Sequence, residues 1–503
     1  MSYRLHGLKI VLLIALCWGG NWDNAARAEL WAGTGKVDIT NRDEPFNDLL
    51  FVRALVVKND QTTFTLLTLD AVSIGEIGYI SNDYLPTVRA QIEQDWGILP
   101  THVMANASHC HGVVCADVAE RTVQAVRMAM ESLVPVRVGV GTGHEDRVME
   151  NRRMKLKDGT EIDVRRGYAL PPDESIAEVG PIDPQIGVLR LDKQDGSPLA
   201  VVYNFACHPI QGVPSGGSTA DMTGFSSAVI EDNLGGGAVA LFVQGCGGDI
   251  NPVGYKAVDH PHDAEVLGNM LGLSTLKAAR QIQTAADDRL LVKHQMTELP
   301  RADLAQRIIA MEEEREQLVN SLRGTELNLK TFMQLASKYS LASSFPSADS
   351  YRYLHQDALD RDHLRRMDAL NRGAMKQYLR NIHTMEELTR LNTNLALLRK
   401  HQTELVDSGK RTIDVELLGV RIGDFVLTTF PGELTVQIGL NIKQAAPHPQ
   451  TFVAGYTNGY IYYAPTAEQL KNVGRAQEDS DCVLAPEWQA IYEAAALQIL
   501  EDL

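Results

Sequence analysis

Two histidines flank a cysteine in the segment SHCHG, where one residue separates His109 from His111. Alternate residues of a β-strand point to the same face, so this spacing would place both imidazoles on one side of a strand. Imidazole is a common ligand of zinc and other transition metals. A pair of histidines on a loop or a surface is the alternative, and the segment alone leaves both open.

Three further polar clusters follow apolar runs such as VVYNFAC and FVLTTF, which we expect to be buried strands. They are ACHP (206–209), PGE (431–433) and NGYIYY (458–463). Strand ends deliver side chains from distant parts of a chain to a shared crevice. Two imidazoles and a carboxylate are a common ligand set for a catalytic zinc ion, and a phenol oxygen is a rarer ligand. The four clusters together therefore indicate a candidate zinc site.

A fifth cluster, FVQGCGGDINP between Phe242 and Pro252, is a predicted strand that runs into a glycine-rich turn. Glycine lets the backbone approach a ligand closely and exposes N–H groups. A phosphate-binding loop of this kind would continue into a Lys-Ser or Lys-Thr pair, which the segment lacks. We interpret it as a tight turn that lines a pocket.

The strands that must position these clusters are predicted to form hairpins. LLFVRALVVKND and TTFTLLTLDAV flank a turn at residues 58–61, and GVLRLD and PLAVVYNFAC flank a turn at Asp195-Gly196. Two segments between the hairpins, YLPTVRAQIEQDW and DVAERTVQAVRMAMESL, have the apolar spacing of helices. The pattern predicts an α/β fold, a layered domain of mixed β-sheets flanked by helices.

Residues 298–411 differ from the rest of the chain. Two long, charge-rich segments of helical period lie on either side of a stretch rich in serine and tyrosine, and strand-like sequence resumes at TIDVELLGVRI. We predict an inserted long helical hairpin at 298–411, within a hydrolase domain formed by 29–297 and 412–503. We interpret the insert as a solvated arm that packs on itself or on a second copy, and a lipid-binding device is the alternative.

The N-terminus predicts export to the periplasm or the outside of the cell. Arg4 and Lys9 precede an apolar run at 10–20, and Ala26-Arg27-Ala28 offers a cleavage site, as in a signal peptide at residues 1–28. An uncleaved anchor is the alternative. The formal net charge of −17 argues against nucleic acid or an anionic membrane as the natural partner, although a peripheral membrane contact is left open.

Five cysteines follow the predicted signal peptide, and an odd number cannot all pair within one chain. Cys110, Cys207 and Cys246 lie beside the polar motifs. We interpret them as small buried residues that pack beneath the site, with metal ligation as the alternative.

The clusters SHCHG, NFACHP, QGCGGDINP, FPGE and NGYIYYAPT, in this order, resemble the neutral or alkaline ceramidase family. The resemblance covers about residues 31–290 and 413–470. Members of that family are zinc amidases that hydrolyse the N-acyl bond of ceramide, so the resemblance implies Zn²⁺ as cofactor and a small-molecule or lipid amide as substrate.

Position by position, the resemblance implies that the zinc ligands are His109, His208, Glu433 and Tyr463. It implies that His111 lies beside the metal or contacts substrate, and that Arg152 holds a substrate oxyanion or hydroxyl. For Arg152, a surface arginine is the alternative.

The sequence departs from the family at the serine nucleophile, where it has Asn251, and it is expected to lack the family's C-terminal β-sandwich. Without the serine, a zinc-bound water would attack directly, and Asn251 would at most donate a hydrogen bond to the oxyanion. The first hypothesis is therefore an exported zinc hydrolase of an amide, or, within the same class, of an ester. The second is a non-catalytic metal-binding envelope protein.

Overall fold

In this computed structural model, the strands that lead to the predicted site belong to two stacked β-sheets. The structure describes residues 29–163, 173–255, 257, 261–340, 350–472 and 476–503. The predicted signal peptide at 1–28 lies outside the described residues. None of the helices within the described ranges combines the length and the apolar content that spanning a membrane requires.

The strands are short and occur in both halves of the chain. In chain order they are β1 (Trp31–Asp38), β2 (Phe51–Lys58), β3 (Thr63–Leu69), β4 (Val103–Ala107), β5 (Val134–His144), β6 (Met149–Asn151), β7 (Arg153–Leu156), β8 (Glu161–Asp163), β9 (Ile176–Val179), β10 (Gln185–Lys193), β11 (Pro198–Phe205), β12 (Val239–Gln244), β13 (Ile250–Pro252), β14 (Leu290–Pro300), β15 (Thr412–Ile422), β16 (Phe425–Thr429), β17 (Glu433–Leu434), β18 (Thr451–Ala454) and β19 (Tyr463–Ala464).

The α-helices alternate with these strands except in one long helical segment. In chain order they are α1 (Tyr84–Trp96), α2 (Val118–Glu131), α3 (Asp221–Leu234), α4 (Ala264–Gln281), α5 (Ala305–Ser321), α6 (Leu329–Ser340), α7 (Ser350–Ala358), α8 (His363–Ser408), α9 (Val436–Ala445) and α10 (Trp488–Glu501). The helix predicted at YLPTVRAQIEQDW is α1, which ends where Gly97 adopts a φ of 68°.

The larger sheet has eight strands in the order β12-β11-β10-β5-β1-β2-β3-β4, and the second has the order β14-β15-β16-β18. Both predicted hairpins are confirmed, since β2 pairs with β3 and β10 with β11 in antiparallel register. Within these two sheets three pairs of the described strands are parallel: β3 with β4, β11 with β12, and β16 with β18. The sheets are therefore mixed, as the sequence predicts.

The two sheets pack face to face through a shared apolar core. Leu189 and Val202 of the larger sheet belong to the same buried cluster as Leu418, Phe425 and Phe452 of the smaller one. Helices α1 and α2 cover another part of the larger sheet, α3 packs against β11 and β12, and α4 packs against β5 and β10. The arrangement confirms the predicted layered α/β fold with flanking helices.

Helices α5 to α8 lie between β14 and β15, in the segment predicted as a helical insert. Helix α5 packs against the C-terminal half of α8 through a separate buried cluster that includes Leu304, Met311, Leu395 and Leu398. Two shorter helices, α6 and α7, stand between these two long ones. β14 continues to Pro300, so the antiparallel β14–β15 pair forms the base from which the helices project.

The stacking of the sheets predicts the effect of one small substitution. Gly187→Ala is expected to lower the free energy of unfolding by about 1–3 kcal/mol, because the added Cβ would lie 2.3 Å from the Phe452 ring. Urea denaturation followed by circular dichroism measures the change. Gly373→Ala on α8 is the control, since its Cβ would meet nothing within 4 Å and alanine favours a helix. Equal stability of Gly187→Ala and the wild type would contradict the close contact.

Candidate functional site

The ends of the parallel strands bring four of the predicted residues together. His109 follows β4, His208 follows β11, and Glu433 opens β17 just after β16. β17 pairs with β19 in parallel register, so that Glu433 and Tyr463 are direct partners. Segments more than 300 residues apart in sequence thus meet at one place.

Asn106 and Gln244 connect these strand ends through their side-chain amides. Asn106 donates to the carbonyl of Gly455 at 2.8 Å and accepts from the backbone N–H of Gln244 at 2.9 Å. Gln244 donates to the carbonyls of Ser108 at 3.0 Å and Cys207 at 2.8 Å, the residues that immediately precede His109 and His208. One buried amide therefore fixes the backbone before both histidines.

The glycine-rich turn after Gln244 packs against the backbone that carries Glu433. A Cβ at Gly248 would lie 2.6 Å from the Glu433 carbonyl oxygen, and the Gly248 N–H donates to the Leu434 carbonyl at 2.8 Å. The glycines permit this close approach of backbone to backbone. The turn thus supports the backbone of the site, but none of its residues is among the described residues that line the cavity beside the histidines, which differs from the predicted pocket-lining turn.

Both histidines turn the same ring nitrogen toward a backbone carbonyl. His109 Nδ1 lies 2.6 Å from the Val72 oxygen, and His208 Nδ1 lies 3.0 Å from the Ile250 oxygen. A carbonyl only accepts hydrogen bonds, so Nδ1 must carry the proton in each ring. In the neutral imidazole, Nε2 then presents a lone pair, which is the arrangement of a metal-ligating histidine.

Glu433 is a buried carboxylate that faces both imidazoles. Its oxygens lie 3.5 Å from His109 Nε2 and 3.0 Å from His208 Nε2, and they accept hydrogen bonds from the hydroxyls of Tyr456 and Tyr460. Burial raises the pKa of Glu433, but the positive charge of His109 and His208 in their protonated forms outweighs this and holds the pKa well below its usual range. Burial raises the pKa of both tyrosines, so they remain hydroxyl donors.

This group of three side chains fits a metal ion. One ligand atom of each of His109, His208 and Glu433 lies within 4.8 Å of the others. With Nδ1 protonated, two nitrogen lone pairs face a carboxylate, and a cation between them would satisfy all three groups. Buried charges in proteins are generally paired or metal-bound, which the geometry here allows.

Tyr463 adds a phenol to the same cluster. Its ring stacks against the His208 ring at a centroid distance of 6.5 Å, and the Arg152 guanidinium lies 5.4 Å from the Tyr463 ring centroid. The side chain is buried and lines the same cavity as the histidines. Tyr463 lies next to Glu433 on the neighbouring strand. Its role as a fourth metal ligand stays a prediction.

Arg152 is fully buried, so it is not the surface residue of the alternative interpretation. Its Nε donates to Glu478 at 2.5 Å, Nη2 donates to the Gly248 carbonyl at 2.5 Å, and Nη1 donates to Asn251 Oδ1 at 3.2 Å. Burial lowers the pKa of Arg152, but the charge of Glu478 outweighs it and raises the pKa well above the usual value. Arg152 is therefore a permanent cation at the cavity wall.

Asn251 lies on β13 and is fully buried. Its Nδ2 has no hydrogen-bond partner among the residues that the structure describes. Asn251 is not one of the described residues that line the cavity, and it contacts Arg152, which does. Its predicted hydrogen bond to a substrate stays a prediction.

A cavity of about 510 Å³ opens beside the three ligand candidates. His111 is exposed and lines this cavity, and its ring centroid lies 5.8 Å from that of His109. Asp481 also lines the cavity and accepts a hydrogen bond from His401 on α8 at 3.0 Å. Helix α8 also places Lys400 Nζ 2.5 Å from the Tyr462 hydroxyl. Helix α8 therefore contacts two loops of the site, one at Asp481 and one at Tyr462.

Backbone strain also marks the site. His109 has a φ of 72°, Tyr456 of 52°, Asn458 of 59° and Tyr462 of 65°, all in the left-handed region. Each such conformation costs about 1–3 kcal/mol in a residue other than glycine and persists where the surroundings hold it. The His109 N–H, for example, donates to the Ala71 carbonyl at 2.9 Å. Such strain is concentrated at functional sites.

The three cysteines beside the motifs are buried free thiols. Burial raises the pKa of Cys110, Cys207 and Cys246, so they stay protonated. They are absent from the group of metal-ligand candidates found among the described residues. Their surroundings agree with the interpretation that they pack beneath the site.

Sequence reasoning missed Tyr456, Glu478 and Asp481. Tyr456 and Glu478 act through contacts with Glu433 and Arg152, which lie far away in sequence. The available signal is weak: Glu478 and Asp481 fall in the polar stretch QEDSD, which reads as a solvated loop. The burial of Glu478 becomes evident only in the fold.

The ligand assignment predicts the metal content of two variants. His208→Ala is expected to lose stoichiometric binding of a divalent metal, because it removes one of three converging ligands. His111→Ala is the matched control, since His111 lies outside the group of three. Metal content after zinc loading and gel filtration, measured by mass spectrometry, distinguishes them. Equal metal content in both variants would contradict the assignment.

Comparisons with known proteins bear on the fold. No protein-family model and no curated protein sequence matches the chain. Among solved structures, the neutral ceramidase from Pseudomonas aeruginosa has a TM-score of 0.57 and 17% identity, over 95% of this chain and 75% of that chain. A ceramidase complexed with C2 has a TM-score of 0.58 and 16% identity, over 94% and 75% of the two chains. The chain therefore has a ceramidase-like fold.

Proposed function

We propose that this protein is an exported, zinc-dependent hydrolase of an N-acyl amide bond, with a ceramide-like or other lipid or acyl amide as substrate. The observation that carries the proposal is the buried group of His109, His208 and Glu433 beside a cavity of about 510 Å³. The ceramidase-like fold adds support. Export rests on the signal peptide predicted at residues 1–28.

The ligand chemistry favours zinc. Imidazole nitrogens and a carboxylate are typical ligands of a catalytic zinc ion, and Tyr463 is the fourth ligand that we propose. A bound zinc ion would supply Lewis acidity that polarises a carbonyl group and lowers the pKa of a water molecule. Glu433 already engages two histidines and two tyrosines, so it is poorly placed to move protons as well.

His111 is the proposed general acid. It is exposed at the cavity wall next to His109, where it can reach both solvent and a bound substrate. Cleavage of an amide requires a proton on the leaving nitrogen, and histidine is the side chain that most often supplies it near neutral pH. We propose that His111 delivers this proton to the amine.

Arg152 and Asn251 are the proposed contacts for substrate oxygens. Arg152 presents a buried positive charge at the cavity wall, which favours an oxyanion or hydroxyl nearby. The Asn251 Nδ2 donor has no partner among the described residues. A buried donor of this kind is costly unless a ligand or water accepts from it. We propose that a substrate oxygen does so.

A non-catalytic metal-binding envelope protein is the second candidate. Asn251 favours it, because an amide side chain cannot form the acyl intermediate that a serine would form at that position. An esterase is the alternative within the hydrolase class, since ester cleavage uses the same groups. The presence of an accessible cavity beside the ligand candidates favours the hydrolase.

Acyl release from N-acyl amides, ceramides among them, and from matched esters tests the proposal. We expect zinc-dependent turnover that His208→Ala abolishes. We expect His111→Ala to keep zinc and lower kcat by about 100-fold or more, because it removes a proton donor. Circular dichroism and zinc content of each variant serve as controls for folding.

Two results would contradict the proposal of a zinc-dependent hydrolase. Full activity of the His208→Ala variant would show that the reaction does not depend on a metal bound by His208. Stoichiometric zinc with no turnover on any amide or ester would favour the metal-binding protein instead.

A further inference from the structure

The far end of the helical segment has an unusual distribution of polar and apolar residues. We call this region the distal surface and define it as residues 329–340 and 350–380, which comprise α6, α7 and the first part of α8. Helix α6 contacts α8 through a hydrogen bond from the Tyr339 hydroxyl to Asp368, and both side chains are buried. Helix α7 turns Tyr353 inward, where the Arg365 guanidinium lies 4.9 Å from its ring centroid. Tyrosine and a carboxylate thus form the inside of this small bundle.

Leucine and methionine, in contrast, lie on its outside. Leu354 is 71% exposed and Leu370 is 74% exposed, although leucine is among the residues most often buried. The exposed apolar residues recur at helical spacing, as the pairs Leu329 and Met333, Tyr351 and Leu354, and Met367 and Leu370. Residues three or four apart share one face of a helix. Each of the three helices therefore presents an apolar strip outward.

The distal surface is also locally basic. Between Leu329 and Arg380 the sequence has nine Lys or Arg and five Asp or Glu residues, a formal charge of +4 in a chain whose net charge is −17. Lys330, Arg361 and Lys376 are exposed and form no ion pair with any residue that the structure describes. The chain is therefore acidic overall but has a net positive formal charge between Leu329 and Arg380.

We propose that the distal surface binds the headgroups and outer acyl region of an anionic lipid membrane. Helices that combine exposed Leu, Met and Tyr with Lys and Arg lie in membrane interfaces, where basic groups meet acidic headgroups and apolar groups enter the acyl boundary. A protein partner is the weaker fit, because the centres of protein interfaces are depleted of lysine, whereas Lys330 and Lys376 are exposed on this surface. Here Leu329 and Lys330, and likewise Tyr351 and Arg352, alternate along the helices.

This membrane contact is separate from the candidate metal site. Leu370 and His401 lie 31 residues apart on α8, which corresponds to about 46 Å along a helix. His401 contacts Asp481 at the cavity, whereas Leu370 belongs to the distal surface. The contact would hold the protein at a lipid surface whether or not the cavity hydrolyses an amide, so the two proposals can fail independently.

Co-sedimentation of the full chain with vesicles tests the proposal. One set consists of phosphatidylcholine with about a third phosphatidylglycerol, and the other of phosphatidylcholine alone. We expect binding to the anionic vesicles that weakens with added salt. The triple variant Lys330→Glu, Arg361→Glu, Lys376→Glu is expected to need about tenfold more anionic lipid, or more, for half-maximal binding. Leu354→Ser with Leu370→Ser is expected to weaken binding as well.

The matched control is Val266→Ser with Leu273→Ser, which removes two exposed apolar residues from α4, outside the distal surface. It is expected to bind as the wild type does. All variants keep residues 1–28, so any vesicle binding through that segment contributes equally to each and does not affect the difference between variants. Equal binding of all variants would overturn the proposal. Absence of binding to the anionic vesicles would also overturn it. A third contradicting result is that the distal variants change from oligomer to monomer without any loss of lipid binding, because this would assign the surface to contact with a second copy.

Discussion

The buried carboxylate of Glu433 is the group on which the rest of the site depends. A carboxylate removed from water is stable only if donors or positive charge replace its hydration. Tyr456 and Tyr460 supply two hydroxyl donors. The other partners, His109 and His208, direct Nδ1 to backbone carbonyls and so face the carboxylate through Nε2. A cation among the three groups would balance this arrangement, so the group has the geometry and the donors to hold a metal ion.

The fold makes this concentration of polar groups possible by joining two sheets at their strand ends. β4 and β11 belong to the larger sheet and β16 to the smaller one, and the apolar core between the sheets holds them in register. Gln244 then satisfies the carbonyls before both histidines with one amide. The left-handed conformation of His109 is tolerated because its N–H and Nδ1 both have carbonyl partners. Rigid strands and short, fully bonded loops thus position the ligand candidates.

Much of this could be predicted from the sequence where the physical signal is local. Apolar runs followed by polar clusters indicated the strand ends, and the helix at Tyr84–Trp96 followed from its apolar spacing. Long-range pairings gave no such signal, so the salt bridge of Arg152 with Glu478 was not foreseen. The net charge of the whole sequence does not show the positive formal charge of residues 329–380, on which the proposed membrane contact depends. The short helices α6 and α7 were also missed, since their serine- and tyrosine-rich sequence resembles a loop.

The most direct test of a metal centre is anomalous diffraction at the zinc absorption edge, from crystals of the protein grown with zinc. We expect one strong peak that lies about 2.0–2.2 Å from Nε2 of His109, from Nε2 of His208 and from a Glu433 carboxylate oxygen. A fully refined structure with no peak at this position, in which both imidazoles hydrogen-bond directly to Glu433, would contradict it.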